Sequence, residues 1–167
     1  MNCRCGKTWS LVAAEHHPST SKLRKLKAFV FDDEEFARSQ VTSLLADRGY
    51  EVLAFGEAIA CTECRAQKGQ PCADIIISDV RMPGMTGIQF VQQQRKLGCF
   101  VPHVALISGA WSPTDLESAS DLGCEIFHKP MPTKELGLWL ENCERTVDRS
   151  LPLGATIQAE HPPLRRE

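Results

Sequence analysis

The chain lacks three features that assign many proteins to a functional class. Its 167 residues carry a formal net charge of -2, and an isoelectric point near 6.2 gives no electrostatic reason to expect a nucleic-acid partner. No apolar run is long enough to span a membrane. Met1–Ala14 lacks the long apolar core and clean cleavage site of a signal peptide. We therefore expect neither nucleic acid nor membrane as a partner.

Cysteine, in contrast, is abundant, with eight residues in the chain. The cysteines are scattered through apolar and helix-like segments, and a chain of this length can bury a core without disulfides. We interpret them as reduced thiols of a cytoplasmic protein. Cys61-x-x-Cys64 together with Cys72 leaves metal binding or redox sensing open, although three thiols lack the paired spacing of a firm zinc site.

Composition divides the chain into three parts. Residues 1–26 are polar and irregular and are predicted to be a flexible leader, and residues 150–167 are predicted to be a flexible tail. Residues 27–149 suit one domain of ordinary size. The basic residues before the first strand, including Arg24 and Lys27, are interpreted as a solvated lead-in.

Strand-like and helix-like segments alternate five times along the domain. The predicted strands are Lys27–Phe31, Tyr50–Phe55, Ala73–Ser78, His103–Ile107 and Glu125–His128. Five helices are predicted. The first starts near Glu34, the second covers Glu57–Lys68, and the third covers Ile88–Leu97. The fourth starts after the cap Ser112, and the fifth covers Thr133–Asp148. This alternation predicts a flavodoxin-like, doubly wound (βα)5 parallel sheet with strand order 2-1-3-4-5.

Helical spacing predicts which side chains of two helices face the core. In the first helix the apolar face is expected to contain Phe36, Val41, Leu44 and Leu45. In the last helix the face is expected to contain Leu136, Leu140, Cys143 and Val147.

Polar side chains stand where four of the predicted strands end. Asp32-Asp33 follows the first strand and Asp79 the third. Ser108 follows the fourth strand and Lys129 the fifth. Since the carboxyl ends of parallel strands meet at one edge, where open α/β sheets bind ligands, these side chains are expected to converge.

Clustered carboxylates repel each other unless a cation lies among them. Mg²⁺ is the natural candidate, because it takes one or two carboxylates and favours phosphate oxygens. A carboxylate can also attack phosphorus to form an aspartyl phosphate. Lys129 and Ser108 could then neutralise and hydrogen-bond the phosphoryl oxygens.

With this set of residues the chain resembles a response-regulator receiver domain of the stand-alone type. The resemblance rests on Asp32-Asp33, on Asp79 with Met82–Gly87, on Ser108-Gly109 and on Lys129-Pro130. It covers about Lys27–Val147 in the order and spacing that the family shows. Such a domain is a signalling phosphoacceptor of a two-component system, and not an enzyme beyond self-phosphorylation from small donors and slow autodephosphorylation.

The resemblance implies a role for each residue of the set. Asp79 would be the phosphoacceptor, and Asp32 and Asp33 would hold Mg²⁺ with Asp79 and the Arg81 backbone carbonyl. Ser108 would be the switch hydroxyl, and Lys129 would pair with the phosphoryl group. The phosphoryl donor would be a sensor histidine kinase or a phosphotransfer protein.

The resemblance also implies a downstream protein target. It would bind the face formed by the fourth helix, which starts after Ser112, the fifth strand and the fifth helix. The family often has an aromatic residue three positions before the lysine, where this chain has Ile126. We expect this difference to affect how the signal reaches the target, while the phosphorylation chemistry is unaffected. The tail is expected to be too short for an output domain.

Two other functions remain open at this stage. One is an Mg²⁺-dependent phosphohydrolase with an aspartyl nucleophile, although Asp32-Asp33-Glu34 lacks the two-residue spacing of such enzymes. The other is a non-phosphorylated receiver that acts as a scaffold, which the acidic set disfavours and Ile126 mildly favours.

Overall fold

The computed structural model describes residues 23–58 and 70–153. Five strands, β1 to β5 in chain order, cover Lys27–Phe31, Glu51–Phe55, Ile75–Asp79, His103–Ser108 and Glu125–His128. Four helices, α1 to α4, cover Glu35–Asp47, Gly87–Lys96, Pro113–Asp121 and Thr133–Thr146. No helix among these residues is both long and apolar enough to cross a membrane.

The strands form one parallel sheet in the order β2-β1-β3-β4-β5. β1 therefore lies between β2 and β3, and the chain reverses its direction of winding between β1 and β3. The predicted flavodoxin-like fold class and strand order are confirmed.

Both faces of the sheet are covered, as the continuous apolar strands require. Phe29 and Phe31 of β1 belong to one core cluster, whereas Ala28 and Val30 belong to the other. This is the two-residue alternation of a strand buried on both sides. The first cluster receives side chains from α2 and α3, and the second receives them from α1 and α4.

Most element boundaries agree with the predicted ones within two residues. β2 begins at Glu51 instead of Tyr50, β3 begins at Ile75 instead of Ala73, and α4 ends at Thr146 instead of Asp148. The helix predicted at Glu57–Lys68 falls largely on residues 59–69, outside the described residues. The boundaries predicted for the leader and the tail stay predictions.

Two predictions about side-chain burial were wrong. Phe36 is 69% exposed, because it lies in the first turn of α1, beyond the edge of the sheet, whereas Val41 and Leu45 are buried as expected. Lys27 is buried instead of solvated; its ammonium lies 3.6 Å from the Glu51 carboxylate. Arg24 forms a bidentate pair with the buried Asp74, at 2.6 and 2.7 Å.

Helix caps depend on residues close together in the chain and can therefore be predicted from the sequence. The predicted cap Ser112 accepts a hydrogen bond from the Asp115 N–H, and Asp115 reciprocates in a capping box. Thr86 and Gln89 form a second capping box at the start of α2. That box fixes where α2 begins, immediately after the loop that follows β3.

Gly87, the first residue of α2, is the point where this helix approaches β3 most closely. A Cβ atom at this position would lie 2.3 Å from the Asp79 carbonyl oxygen and 2.8 Å from Ser78 Oγ. The Gly87 N–H donates to the Val80 carbonyl at 3.1 Å. Only glycine allows this approach, so residue 87 fixes the backbone around Asp79.

We expect Gly87→Ala to destabilise the protein by about 1–3 kcal/mol, because the added methyl group overlaps a backbone atom that cannot move freely. Gly137→Ala is the matched control, since a Cβ at that position of α4 meets nothing within 4 Å. This control should stabilise the helix by about 0.5–1 kcal/mol. Urea unfolding of both variants measures the difference; equal effects would contradict the close approach at Gly87.

Candidate phosphoacceptor and metal site

The carboxyl edge of the sheet brings the predicted site residues together. Asp32 follows β1 and Asp79 ends β3, and these two strands are neighbours in the sheet. Ser108 ends β4, and Lys129 follows β5 and precedes a cis peptide bond to Pro130. Four strand ends thus supply one site, at the point where the winding direction reverses.

Lys129 is the centre of the site. Its Nζ atom lies 2.6 Å from Asp79 Oδ2 and 3.1 Å from Asp32 Oδ2. Burial by itself lowers the pKa of Lys129, but hydrogen bonds to Asp79 and Asp32 outweigh it, and the pKa is raised above its usual value. The ammonium is therefore charged at neutral pH and partly neutralises the two carboxylates.

The three aspartates differ in exposure. Asp32 and Asp79 are buried, whereas Asp33 is exposed to solvent. Burial raises the pKa of Asp32 above its ordinary value, although the Glu34 N–H and Lys129 oppose this by hydrogen bonding. The charged form of Asp32 is consequently less favourable in the folded protein than in water.

The Asp79 side chain is oriented by the chain that follows it. The Arg81 N–H donates to Asp79 Oδ1 at 3.0 Å, which leaves Oδ2 for Lys129. The Arg81 guanidinium turns away from the aspartate and forms a 2.6 Å ion pair with Asp115 in α3. This pair links the loop after β3 to the helix after β4, a contact that the sequence did not indicate.

Ser108 is buried, and its hydroxyl is engaged locally. Its Oγ atom donates to the Ala110 carbonyl at 2.9 Å and accepts from the Ala110 N–H at 3.2 Å. The hydroxyl is therefore held by the loop after β4. Moving it towards Asp79 requires these two bonds to break.

Next to this loop, Trp111 contacts β5. Its Nε1–H donates to the Phe127 carbonyl at 3.1 Å, and its ring meets His128 edge-on with 6.3 Å between ring centroids. Ile126 is partly buried and packs against the first core cluster, as Trp111 does. Trp111 thus supplies an aromatic contact to β5 close to the predicted switch hydroxyl.

A groove of about 220 Å³ opens beside the site. Asp32 and Lys129 lie at its polar end, and Phe36, Pro130 and Met131 line its apolar part. Sequence periodicity assigned Phe36 to the core and therefore missed this groove. The only sequence feature that indicated the exposure of Phe36 is its position in the first turn of α1, immediately after the acidic run.

The residues present suit Mg²⁺. One oxygen from each of Asp32, Asp33 and Asp79 lies within 4.8 Å of the other two. Hard carboxylate oxygens are the ligands that Mg²⁺ prefers, and the exposed side of Asp33 leaves room for the waters that this ion retains.

The sequence family agrees with this site and fold. The family described as "Response regulator receiver domain" matches residues 28–140. The chain therefore belongs to the receiver-domain family of two-component response regulators. Receiver domains are signalling phosphoacceptors that bind Mg²⁺ at an acidic pocket and interact with histidine kinases and downstream effectors.

Individual relatives are distant. An uncharacterized response regulatory protein from Vibrio cholerae is 26% identical over 125 residues, which cover 75% of this chain and 51% of that protein. The chain spans about half the length of the curated relatives that it matches first.

Solved structures give the same picture. The N-terminal domain of an uncharacterized protein from Wolinella succinogenes is 26% identical with a TM-score of 0.61, over 72% of this chain and 94% of that one. The chemotaxis protein CheY4 of Vibrio cholerae is 28% identical with a TM-score of 0.55, over 74% of this chain and all of that one.

We expect Asp32→Asn to raise the melting temperature at pH 7 in the presence of a chelator. A carboxyl whose pKa folding raises stabilises the fold while protonated, and this contribution is lost as the pH rises through the raised pKa. Asparagine stays neutral, so we expect a gain on the order of 2–4 °C, which corresponds to about 1 kcal/mol in a chain of this size.

The gain should vanish below the ordinary pKa of 3.8, where Asp32 itself is protonated. Asp33→Asn is the matched control, because this exposed carboxylate is solvated and its replacement should have little effect. Calorimetry at both pH values measures the differences. A loss of stability in Asp32→Asn at pH 7 would contradict the inference that the charged form of Asp32 is unfavourable in the folded protein.

Proposed function

We propose that Asp79 accepts a phosphoryl group from a sensor histidine kinase or a phosphotransfer protein, and that the modified protein changes its contacts with a downstream protein. The observation that carries the proposal is the 2.6 Å contact between Lys129 Nζ and Asp79 Oδ2, with Asp32 beside both. A carboxylate held next to a cation is prepared for a transfer in which negative charge must be neutralised.

In this reaction an oxygen of the Asp79 carboxylate forms a bond to phosphorus while the P–N bond of a donor phosphohistidine breaks. The imidazole leaves with the electron pair of the P–N bond and takes a proton from solvent. Lys129 then shifts from the carboxylate to a phosphoryl oxygen, since its three N–H donors can serve either acceptor.

Asp32, Asp33, Asp79 and the Arg81 backbone carbonyl are the proposed Mg²⁺ ligands. The chemistry that Mg²⁺ supplies when bound is neutralisation of the charge that the phosphoryl oxygens bring. Because Asp79 Oδ1 is fixed by the Arg81 N–H, the carboxylate keeps its orientation while its partners change.

The switch that we propose begins at Ser108. A phosphoryl oxygen on Asp79 is a stronger acceptor than the Ala110 carbonyl, so the hydroxyl would exchange one for the other. The loop that carries Ala110 continues into Trp111, whose indole is bonded to β5. A shift of the loop would thereby change the face formed by α3, β5 and α4, the proposed binding surface for the target.

The groove beside Asp32 and Lys129 suits the phosphoryl donor. Its apolar part, with the exposed Phe36 and the partly buried Met131, lies beside Lys129, which contacts the Asp79 carboxylate. A docked donor could exclude water from the reaction there. We also propose that the protein is cytoplasmic and binds neither nucleic acid nor a membrane.

The first test is incubation of the protein with Mg²⁺ and acetyl phosphate, followed by intact mass measurement. We expect a gain of one phosphoryl group, which Asp79→Asn abolishes because its amide is a poor nucleophile. Asp33→Asn is expected to slow the gain, and Asp121→Asn, an exposed change in α3, should leave it unchanged.

Other outcomes would assign the protein differently. A folded, Mg²⁺-binding protein that gains no mass would support the scaffold. Steady turnover of a phosphate ester, in place of a single phosphorylation, would support the phosphohydrolase. Mass gain that persists in Asp79→Asn would show that another residue is the acceptor.

A second test concerns the metal. Millimolar Mg²⁺ should raise the melting temperature, because an ion that binds only the native state stabilises it by mass action, by about 2.7 kcal/mol at a hundred times its dissociation constant. Asp33→Asn should reduce this shift strongly, since it removes a ligand without disturbing the core. Ca²⁺-free buffer at constant ionic strength controls for general salt effects; an equal shift in both proteins would refute the ligand assignment.

A further inference from the structure

Arg81 joins the loop that follows Asp79 to the start of α3. Its Nη2 atom lies 2.6 Å from Asp115 Oδ2, and its backbone N–H donates to Asp79 Oδ1 at 3.0 Å. One residue therefore contacts the proposed phosphoacceptor with its main chain and α3 with its side chain. We call the contact between Arg81 and Asp115 the loop–helix pair.

The loop–helix pair is accessible to water, so it can be exchanged for another contact at little cost. The side chain of Arg81 is 56% exposed and that of Asp115 is 20% exposed. Ion pairs that water reaches contribute little to stability. Asp115 also keeps two hydrogen bonds with Ser112 in the capping box, so the first turn of α3 stays capped when Arg81 leaves.

Phosphorylation of Asp79 would change the charge next to Arg81. In the unmodified site, the three aspartates of the candidate metal site are balanced by Lys129 and one bound Mg²⁺. A phosphoryl group replaces the single negative charge of the Asp79 carboxylate by about two. One negative charge is then left without a partner two residues from Arg81.

Arg81 is better placed than Arg38 to supply the missing positive charge. The Arg38 guanidinium donates to the Asp32 backbone carbonyl at 2.6 Å, which holds it at the start of α1. Arg81 follows the acceptor directly in the chain, and its side chain is held by a carboxylate at the surface. A planar guanidinium can bind two phosphoryl oxygens at once, so this contact is stronger than an exposed contact with a carboxylate.

We propose that Arg81 exchanges Asp115 for the phosphoryl oxygens when Asp79 is phosphorylated, and that α3 thereby loses its connection to the loop after β3. This inference rests on the proposed function, since it names how the same site is coupled to α3. The guanidinium only changes its hydrogen-bond acceptor, and no covalent bond forms or breaks in this step. The exchange reaches the face formed by α3, β5 and α4 by a route that needs no aromatic residue in place of Ile126.

The first test is a double-mutant cycle on the rate of phosphorylation by acetyl phosphate. Asp115→Asn keeps a side-chain oxygen for the capping box but removes the charge that holds Arg81. We expect this variant to be phosphorylated about twofold to fivefold faster than the wild type, because Arg81 no longer has to leave an ion pair. In an Arg81→Gln background, Asp115→Asn should have no effect on the rate.

Asp121→Asn is the matched control, because it removes the same charge from the exposed far end of α3. It should leave the rate unchanged at physiological ionic strength, where distant surface charges are screened. An Asp115→Asn protein that is phosphorylated no faster than the wild type would overturn the proposal. So would an equal acceleration in the Arg81→Gln background, since the effect would then not depend on Arg81.

The second test follows Arg81 itself in the full chain by NMR. The signal of its Nε–H, assigned by its loss in Arg81→Gln, should differ between the wild type and Asp115→Asn before phosphorylation. After phosphorylation with excess acetyl phosphate and Mg²⁺ the two proteins should give the same signal, because Arg81 then binds the phosphoryl group in both. Signals that still differ would show that the loop–helix pair persists, and would overturn the exchange.

Intact mass of the same samples separates this proposal from the proposed function. A sample that gains one phosphoryl group while the Arg81 signal stays in place overturns only the exchange of partners. A sample that gains none overturns the phosphoacceptor role of Asp79 and, with it, the exchange that depends on that role.

Discussion

The interaction on which the site depends is the contact of one ammonium with two buried carboxylates. Asp32 and Asp79 lie on neighbouring strands, and two ionised carboxylates this close would repel each other strongly in a buried place. Lys129 offsets that repulsion from a third strand. Lys129 thus neutralises part of the carboxylate charge, while burial still raises the pKa of Asp32 above its ordinary value.

The same residues explain why the fold places chemistry at this edge. Because β1 and β3 are neighbours, the chain leaves the sheet in opposite directions after Phe31 and after Asp79, which opens a space between the two loops. Gly87 brings α2 against the Asp79 backbone, and the Arg81 N–H fixes the carboxylate. The tightly packed backbone around Asp79 thus lies beside Ser108, whose hydroxyl is held by two hydrogen bonds to Ala110. We propose that this contrast lets a local charge change move one loop without disturbing the other.

The sequence by itself determined the alternation of strands and helices and the polar residues Asp32, Asp79, Ser108 and Lys129 at the strand ends, because periodicity and strand ends are local properties. The strand order and the convergence of these residues followed from the general rules for doubly wound sheets. The Ser112 cap was equally readable. Only the tertiary structure decided that Phe36 is exposed beside a groove, that Arg81 pairs with Asp115 and that Lys27 is buried. Each of these depends on which distant segment lies opposite a side chain, and helical or strand spacing carries no information about that neighbour.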